Sequence, residues 1–66
     1  MSHITPREKE VINLIIEGKT NSEIAGILFI SIHTVKSIVE NIFLKTGFHN
    51  RMQVAMWFLK NKKEND

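Results

Sequence analysis

The sequence of 66 residues contains no cysteine, a single proline and three glycines. The absence of cysteine excludes disulfide bonds and thiolate metal sites as sources of stability. His3, His33 and His49 are too scattered to indicate a metal site. No apolar run approaches the roughly 18 residues of a membrane span. Charges from Arg7 to Glu10 interrupt any signal-peptide pattern. We therefore expect a soluble, cytoplasmic chain with no membrane partner, metal or cofactor.

The sequence also lacks the usual marks of catalysis. There is no carboxylate pair in a plausible cleft, no Cys/His pair and no glycine-rich phosphate loop. A chain this short forms one domain with a thin core and has little room for a pocket. We predict that the protein is not an enzyme and has no catalytic residues and no small-molecule ligand. The net charge of +2 and the pI of about 9.2 are compatible with nucleic acid as a partner.

The sequence does contain clear signals for where helices start and stop. Apolar residues recur at helical spacing between capping residues, and no stretch alternates long enough to be a strand. The predicted helices, each with its capping residue, are 6–17 (Thr5), 21–28 (Thr20), 32–46 (Ser31) and 51–61 (Asn50). Glu8 and Glu23 are each placed to complete a capping box with the threonine three residues before. Within the second predicted helix, Gly26 is unfavourable, and close packing is the one explanation that the sequence offers. The predicted fold is all-α, a four-helix bundle in a single domain over 1–66, with a core from about 4 to 60 and a charged, frayed tail over 61–66.

The turn between the second and third helices is the most informative feature. Phe29 and Ile30 form the turn and Ser31 caps the next helix, and such a short connection predicts a helix-turn-helix. The third helix is expected to be roughly 22 Å long, enough to lie across a DNA groove. A helical wheel places Val35, Val39 and Ile42 on its buried face. In the fourth helix we expect a core face of Met52, Ala55 and Leu59, with Val54, Trp57 and Phe58 on another side.

Polar side chains on the other face of the third helix are candidate contacts to base edges. Lysine can donate to guanine, glutamate can accept from cytosine N4 but repels phosphates, and asparagine can read adenine. The predicted base contacts are Lys36, Ser37, Glu40 and Asn41. Helix starts offer free N–H groups to phosphates. The predicted DNA-backbone contacts are Thr20, Asn21, Ser31, His33, Thr34, Asn50 and Arg51. The alternative for the capping residues is capping alone, and for His33 it is a solvated side chain.

The chain resembles the LuxR-type (GerE-like) DNA-binding domain of bacterial transcription regulators over about residues 4 to 59. The similar segments are Thr5-Pro6-Arg7-Glu8, Asn21 with Glu23-Ile24-Ala25, Leu28-Phe29-Ile30-Ser31, Thr34-Val35-Lys36, Asn41-Ile42, Lys45, Gly47 and Asn50-Arg51. The resemblance implies a four-helix domain whose third helix enters the major groove of double-stranded DNA in the bacterial nucleoid.

The resemblance also implies partners. Family members bind inverted half-sites as dimers, often paired through the last helix, and RNA polymerase is a further partner. We expect a homodimer interface at Val54, Trp57 and Phe58. The alternative for Trp57 is a lid over the small core. The chain begins with methionine, which fits a standalone regulator and an excised domain equally well.

Several positions depart from the family pattern. Many relatives have an aliphatic residue at Ser37, a histidine at Ile38, a polar or basic residue at Glu40 and a basic residue at Leu44. These changes predict either a different target sequence or weak DNA binding. The alternative function is therefore a protein-interaction or dimerisation module with weak or no DNA binding.

Overall fold

A computed structural model describes the backbone of residues 3–65 and the side chains of residues 3–61. Its elements are four helices, α1 (Pro6–Ile16), α2 (Asn21–Leu28), α3 (Ile32–Thr46) and α4 (Arg51–Asn65), with no strand over residues 3–65. The predicted all-α helix-turn-helix fold is confirmed.

Two helix ends differ from the prediction. α1 ends at Ile16 because Gly18, at φ 86°, reverses the chain. The Gly18 and Lys19 N–H groups then donate to the carbonyls of Ile15 and Leu14, which closes the helix in a Schellman motif. α4 continues to Asn65, four residues beyond the predicted end at 61. Fraying was predicted for residues 61–66. The side chains of residues 62–66 lie outside the described residues, so this stays a prediction.

Reciprocal caps explain where α1 and α2 begin. The Thr5 hydroxyl accepts from the Glu8 N–H at 3.1 Å, and the Glu8 carboxylate accepts from the Thr5 N–H at 2.9 Å. Thr20 and Glu23 repeat this arrangement at 3.2 and 2.8 Å. Each box satisfies backbone donors that the first turn of a helix leaves without partners.

All four helices contribute to one apolar core. α1 packs against α3 and α4, and α2 packs against α3. The buried apolar residues are Val11, Ile12, Ile15, Ile24, Ala25, Val35, Val39, Ile42 and Val54. The predicted buried stripe of α3 is therefore confirmed.

The predicted faces of α4 were wrong for Met52, Val54 and Leu59 and right for Ala55. Val54, expected on a dimer interface, is 0% exposed and lies in the core, whereas Met52 is 70% exposed. Ala55 and Phe58 pack against the core, while Leu59 is exposed. Residues 54–59 are apolar on every side of the helix, so their spacing could not select the inward face. A side chain with no exposed surface cannot contact a partner, so Val54 is removed from the predicted interface.

A nearly buried ion pair joins the start of α1 to the end of α3. Lys45 Nζ lies 2.7 Å from Glu8 Oε1 and 3.1 Å from the carbonyl oxygen of His3. Burial disfavours the charged form of Glu8, but hydrogen bonds from Lys45 and from the Thr5 N–H outweigh burial and lower the pKa of Glu8 below the ordinary 4.5. The pair thus fixes α3 against α1 at the end opposite the short turn.

This lowered pKa predicts acid sensitivity. A carboxyl whose folded-state pKa is depressed stabilises the fold above its unfolded pKa, near 4.5, and this stabilisation is lost as the pH falls through the folded-state value. We expect the free energy of unfolding to drop below about pH 4.5, and to drop less steeply in Glu8→Gln. Urea unfolding monitored by circular dichroism from pH 7 to 3 measures it. Glu17→Gln is the control, and equal pH profiles for Glu8→Gln and the unchanged chain would refute the assignment.

Gly26 has no packing role within the described residues. It is exposed in the middle of α2, and a Cβ built on it meets no atom within 4 Å. Glycine costs about 1 kcal/mol relative to alanine inside a helix. We therefore expect Gly26→Ala to raise the free energy of unfolding by about 1 kcal/mol. Denaturant titration measures this change in the free energy of unfolding, and Ser22→Ala on the same helix is the control. If Gly26→Ala is no more stable than the unchanged chain, something other than helix propensity determines the stability of α2.

No single helix within residues 3–65 has the length and apolarity needed to cross a membrane. By length and composition alone, α2 and α3 meet that requirement together as a bent pair. Five apolar residues of this pair are buried in the core of the domain: Ile24, Ala25, Val35, Val39 and Ile42.

Candidate nucleic-acid interface

The turn between α2 and α3 reorients the chain within three residues, Phe29 to Ser31. The axes of α2 and α3 meet at 110°. Phe29 adopts the left-handed conformation (φ 58°, ψ 43°) that ends α2, and the Ile30 N–H donates to the Ala25 carbonyl at 3.0 Å. Ser31 then caps α3 by accepting from the Thr34 N–H at 3.1 Å. This is the steep crossing and short connection of a helix-turn-helix.

The bend leaves one side of α3 uncovered. Val35, Val39 and Ile42 are at most 6% exposed, and Ile38 and Phe43 are partly buried beside them. The residues of α3 that stay exposed are Ile32, His33, Thr34, Lys36, Ser37, Glu40, Asn41 and Leu44. All four predicted base contacts therefore lie on the exposed side of one helix, about 22 Å long for its 15 residues.

Three predicted phosphate-contacting residues act as caps in this structure. Thr20 accepts from the Glu23 N–H, Ser31 from the Thr34 N–H at 3.1 Å, and Asn50 from the Gln53 N–H at 2.9 Å. In each case the cap uses an acceptor oxygen. The side-chain donors of Thr20 and Asn50 are still available to a phosphate oxygen, so capping and DNA contact are compatible there. The Ser31 and Thr34 hydroxyls lie 3.0 Å apart, so one donates to the other and only the second keeps its donor for a phosphate.

Asn21 and Arg51 are brought together although 30 positions separate them. The Arg51 guanidinium donates to Asn21 Oδ1 and, at 2.9 Å, to the carbonyl oxygen of Lys19. This contact ties the start of α4 to the start of α2. Both residues were predicted as DNA-backbone contacts, and in the structure they hold these two helix starts side by side.

The helix starts differ in their local charge. The Thr20 N–H hydrogen bond to Glu23 lowers the pKa of that carboxyl and keeps a negative charge at the start of α2. By contrast, the first turns of α3 and α4 contain no acidic residue. The positive end of the helix dipole is therefore left uncompensated at the α3 start, beside His33 and Lys36, which favours an anion there.

Sequence reasoning missed two structural roles at this site. Glu8 was predicted as a capping residue and Lys45 as part of a family pattern, but neither was predicted as half of an ion pair. Arg51 was predicted to contact DNA and not to link α4 to α2. These contacts join residues 30 or more positions apart, and no local periodicity reports such pairs.

The geometry defines a class of protein: a small helix-turn-helix domain that exposes its second, polar-faced helix. Comparison with protein families gives the same class, because residues 2–58 match the model described as "Bacterial regulatory proteins, luxR family". The chain belongs to the luxR family of bacterial regulatory proteins.

Similar proteins bear the names of regulators. The chain is 47% identical over 58 residues to the transcriptional regulatory protein LiaR of Bacillus subtilis, covering 88% of this chain and 28% of LiaR. It is 44% identical over 59 residues to a probable transcriptional regulator, ycf29, of Porphyra purpurea, covering 89% of this chain and 28% of that protein.

A third relative is close to this chain in length. The chain is 40% identical over 57 residues to the spore germination protein GerE of Bacillus subtilis, covering 86% of this chain and 77% of GerE. By contrast, the chain spans just over a quarter of LiaR and of ycf29. The predicted membership of this family of regulators is confirmed, and LiaR and ycf29 bear the names of transcriptional regulators.

Proposed function

We propose that this chain binds double-stranded DNA in a sequence-specific manner and regulates transcription in the bacterial nucleoid, with α3 in the major groove. The observation that carries the proposal is the exposed side of α3, which presents Lys36, Ser37, Glu40 and Asn41 beyond a 110° bend. A helix of this diameter fits the major groove, where each base pair offers a distinct set of donors and acceptors.

Phosphate contacts would hold α3 in register. The donor groups at the starts of α2, α3 and α4 are the proposed contacts, as predicted from the sequence for Thr20, Asn21, Ser31, His33, Thr34, Asn50 and Arg51. The lack of acidic residues in the first turns of α3 and α4 supports the contacts proposed at those two helix starts, since a carboxylate there would repel the phosphate. The negative charge of Glu23 makes the start of α2 the less favourable of the three.

The test is fluorescence anisotropy with labelled inverted-repeat duplexes at about 50 and 200 mM salt. Binding through phosphates releases counterions, so the association constant should fall steeply as salt rises. A random-sequence duplex of equal length is the control. Equal affinity for both duplexes would exclude sequence-specific recognition, and no binding at the lower salt would exclude DNA as the partner.

A homodimer on inverted half-sites is part of the proposal, with a revised interface. Met52, Met56 and Leu59 recur at helical spacing on α4 and are 70%, 65% and 48% exposed. Trp57 packs edge-on against Phe48, with ring centroids 6.0 Å apart, so it also serves the core. Three side chains supply much less than the roughly 800 Å² per partner of a stable interface, so pairing is expected on DNA rather than in solution.

A charge on this α4 face should therefore reduce cooperative binding. We expect Met56→Glu to weaken binding to a two-half-site duplex by about tenfold or more, while affinity for a single half-site is kept. Titration of both duplexes measures it, and Met56→Ala is the milder companion variant. Equal losses on both duplexes would place Met56 outside a dimer interface.

A protein-interaction module is the second candidate, because one apolar surface lies beside the reading face. Leu44 is 81% exposed. It borders an open groove of about 420 Å³ lined by Glu40, Phe43, Leu44, Gly47, Phe48 and His49. RNA polymerase is the proposed partner for such a surface in a regulator. A stable protein complex without DNA affinity at low salt would favour this function over DNA reading.

A further inference from the structure

Glu40 is the single acidic residue of α3, and it lies on the exposed side of the helix. Three other acidic side chains have partners: Glu8 binds Lys45, Glu23 binds the Thr20 N–H, and Glu10 pairs with Arg7. Glu17 is exposed at the end of α1 and, among the described side chains, has no partner either. Over the residues whose side chains are described, the Glu40 carboxylate has no hydrogen bond and no ion pair. It therefore offers two acceptor oxygens to whatever α3 contacts.

Lys36 does not neutralise this carboxylate, although it stands one helical turn before it. No ion pair between these two side chains is found among the described residues, and the order lysine-then-glutamate is the weaker arrangement at this spacing. The two side chains thus present a donor and an acceptor separately, about 6 Å apart along the helix axis.

In the major groove an ionised carboxylate has few favourable partners. Guanine presents O6 and N7 and thymine presents O4, all acceptors that repel it. Adenine presents an amino donor next to the acceptor N7, so attraction and repulsion oppose each other. Cytosine presents the N4 amino group with no competing acceptor on its own edge. A glutamate on a reading helix therefore favours cytosine and rejects guanine and thymine.

We propose that Glu40 is a specificity-determining residue that requires a cytosine in each half-site of the DNA bound by this chain. The proposal rests on the proposed function, in which α3 lies in the major groove. Repulsion between Glu40 and the phosphates lowers affinity for every sequence, and the cytosine contact restores affinity at matching sites alone.

The neighbours of Glu40 extend the expected recognition sequence. Lys36, one turn earlier, reads a guanine, and about 6 Å corresponds to roughly two base-pair steps of 3.4 Å. Leu44, one turn later and 81% exposed, lines the same open groove as Glu40 and offers an apolar contact beside it. The half-site should therefore contain a guanine and a cytosine within about two steps of each other.

The test is selection of bound sequences from random duplex DNA by the 66-residue chain and two variants at the same salt. The unchanged chain should enrich cytosine at one position of each half-site. In Glu40→Gln that preference should fall by about tenfold and move to adenine, because glutamine pairs with adenine N6 and N7. Glu17→Gln removes the same charge from the exposed end of α1 and should keep the cytosine preference.

The outcomes separate the two levels of the proposal. If the unchanged chain and Glu40→Gln enrich sites with the same bases, the role of Glu40 is overturned, while sequence-specific DNA binding by the chain still stands. A general gain in affinity shared by both variants, with no change in base preference, would show that Glu40 acts only as a charge and would overturn the role as well. If the unchanged chain enriches no sequence, the proposed function fails and this inference fails with it.

Discussion

Replacement of Lys45 by methionine is expected to lower the free energy of unfolding by about 2–3 kcal/mol. The substitution keeps most of the side-chain volume but leaves the Glu8 carboxylate, 5% exposed, without its cation. A buried charge that loses its partner retains its desolvation cost, while the compensating attraction is gone. For a domain of this size such a loss is a large part of the total stability.

A double-mutant cycle isolates the pair. Urea unfolding of Lys45→Met, Glu8→Gln and the double variant gives a coupling energy, and Lys9→Met on the exposed side of α1 is the matched control. The double variant should be more stable than the sum of the single losses predicts. Additive losses, or a loss for Lys45→Met no larger than that for Lys9→Met, would show that the pair contributes little.

Replacement of Lys36 by alanine is expected to weaken specific DNA binding by about 1–3 kcal/mol, if the side chain reads a guanine. Lys36 is exposed and makes no hydrogen bond or ion pair among the described residues, so the fold should not depend on it. Surface substitutions of this kind usually change stability by less than about 0.5 kcal/mol. A loss of affinity can then be assigned to the interface.

Base reading and phosphate binding by Lys36 give different results. If Lys36 reads a base, the variant should lose discrimination at one position of the half-site; if it binds phosphate, affinity should fall for all sequences and the salt slope should decrease by about one. Lys9→Ala removes the same charge from α1 and is the control. Unchanged affinity of Lys36→Ala would remove Lys36 from the reading set.

The helix starts could be predicted because their signals are local. Thr5 with Glu8, and Thr20 with Glu23, place both partners of a cap within four residues, and the structure contains both boxes. Ser31 and the short turn at Phe29 are likewise read directly from neighbouring residues. For the same reason the exposed side of α3 followed from its apolar period.

The packing of α4 could not be predicted from its own pattern. Residues 54–59 are apolar on every side of the helix, so the sequence pattern could not show that Val54 rather than Met52 faces the core. The choice depends on how α1 meets α4, which is a tertiary contact. The Glu8–Lys45 pair and the Arg51 contact to Asn21 are hidden in the sequence for the same reason, since each joins distant segments.

The docking of α3 into the major groove is tested most directly by nuclear magnetic resonance. Specific duplex is titrated into the nitrogen-15-labelled chain, and the shift of every backbone amide is followed. Docking through α3 predicts the largest shifts within residues 31–41, with smaller ones at the starts of α2 and α4. Tight binding with shifts confined to the Met52–Leu59 face of α4, and none within 31–41, would contradict it.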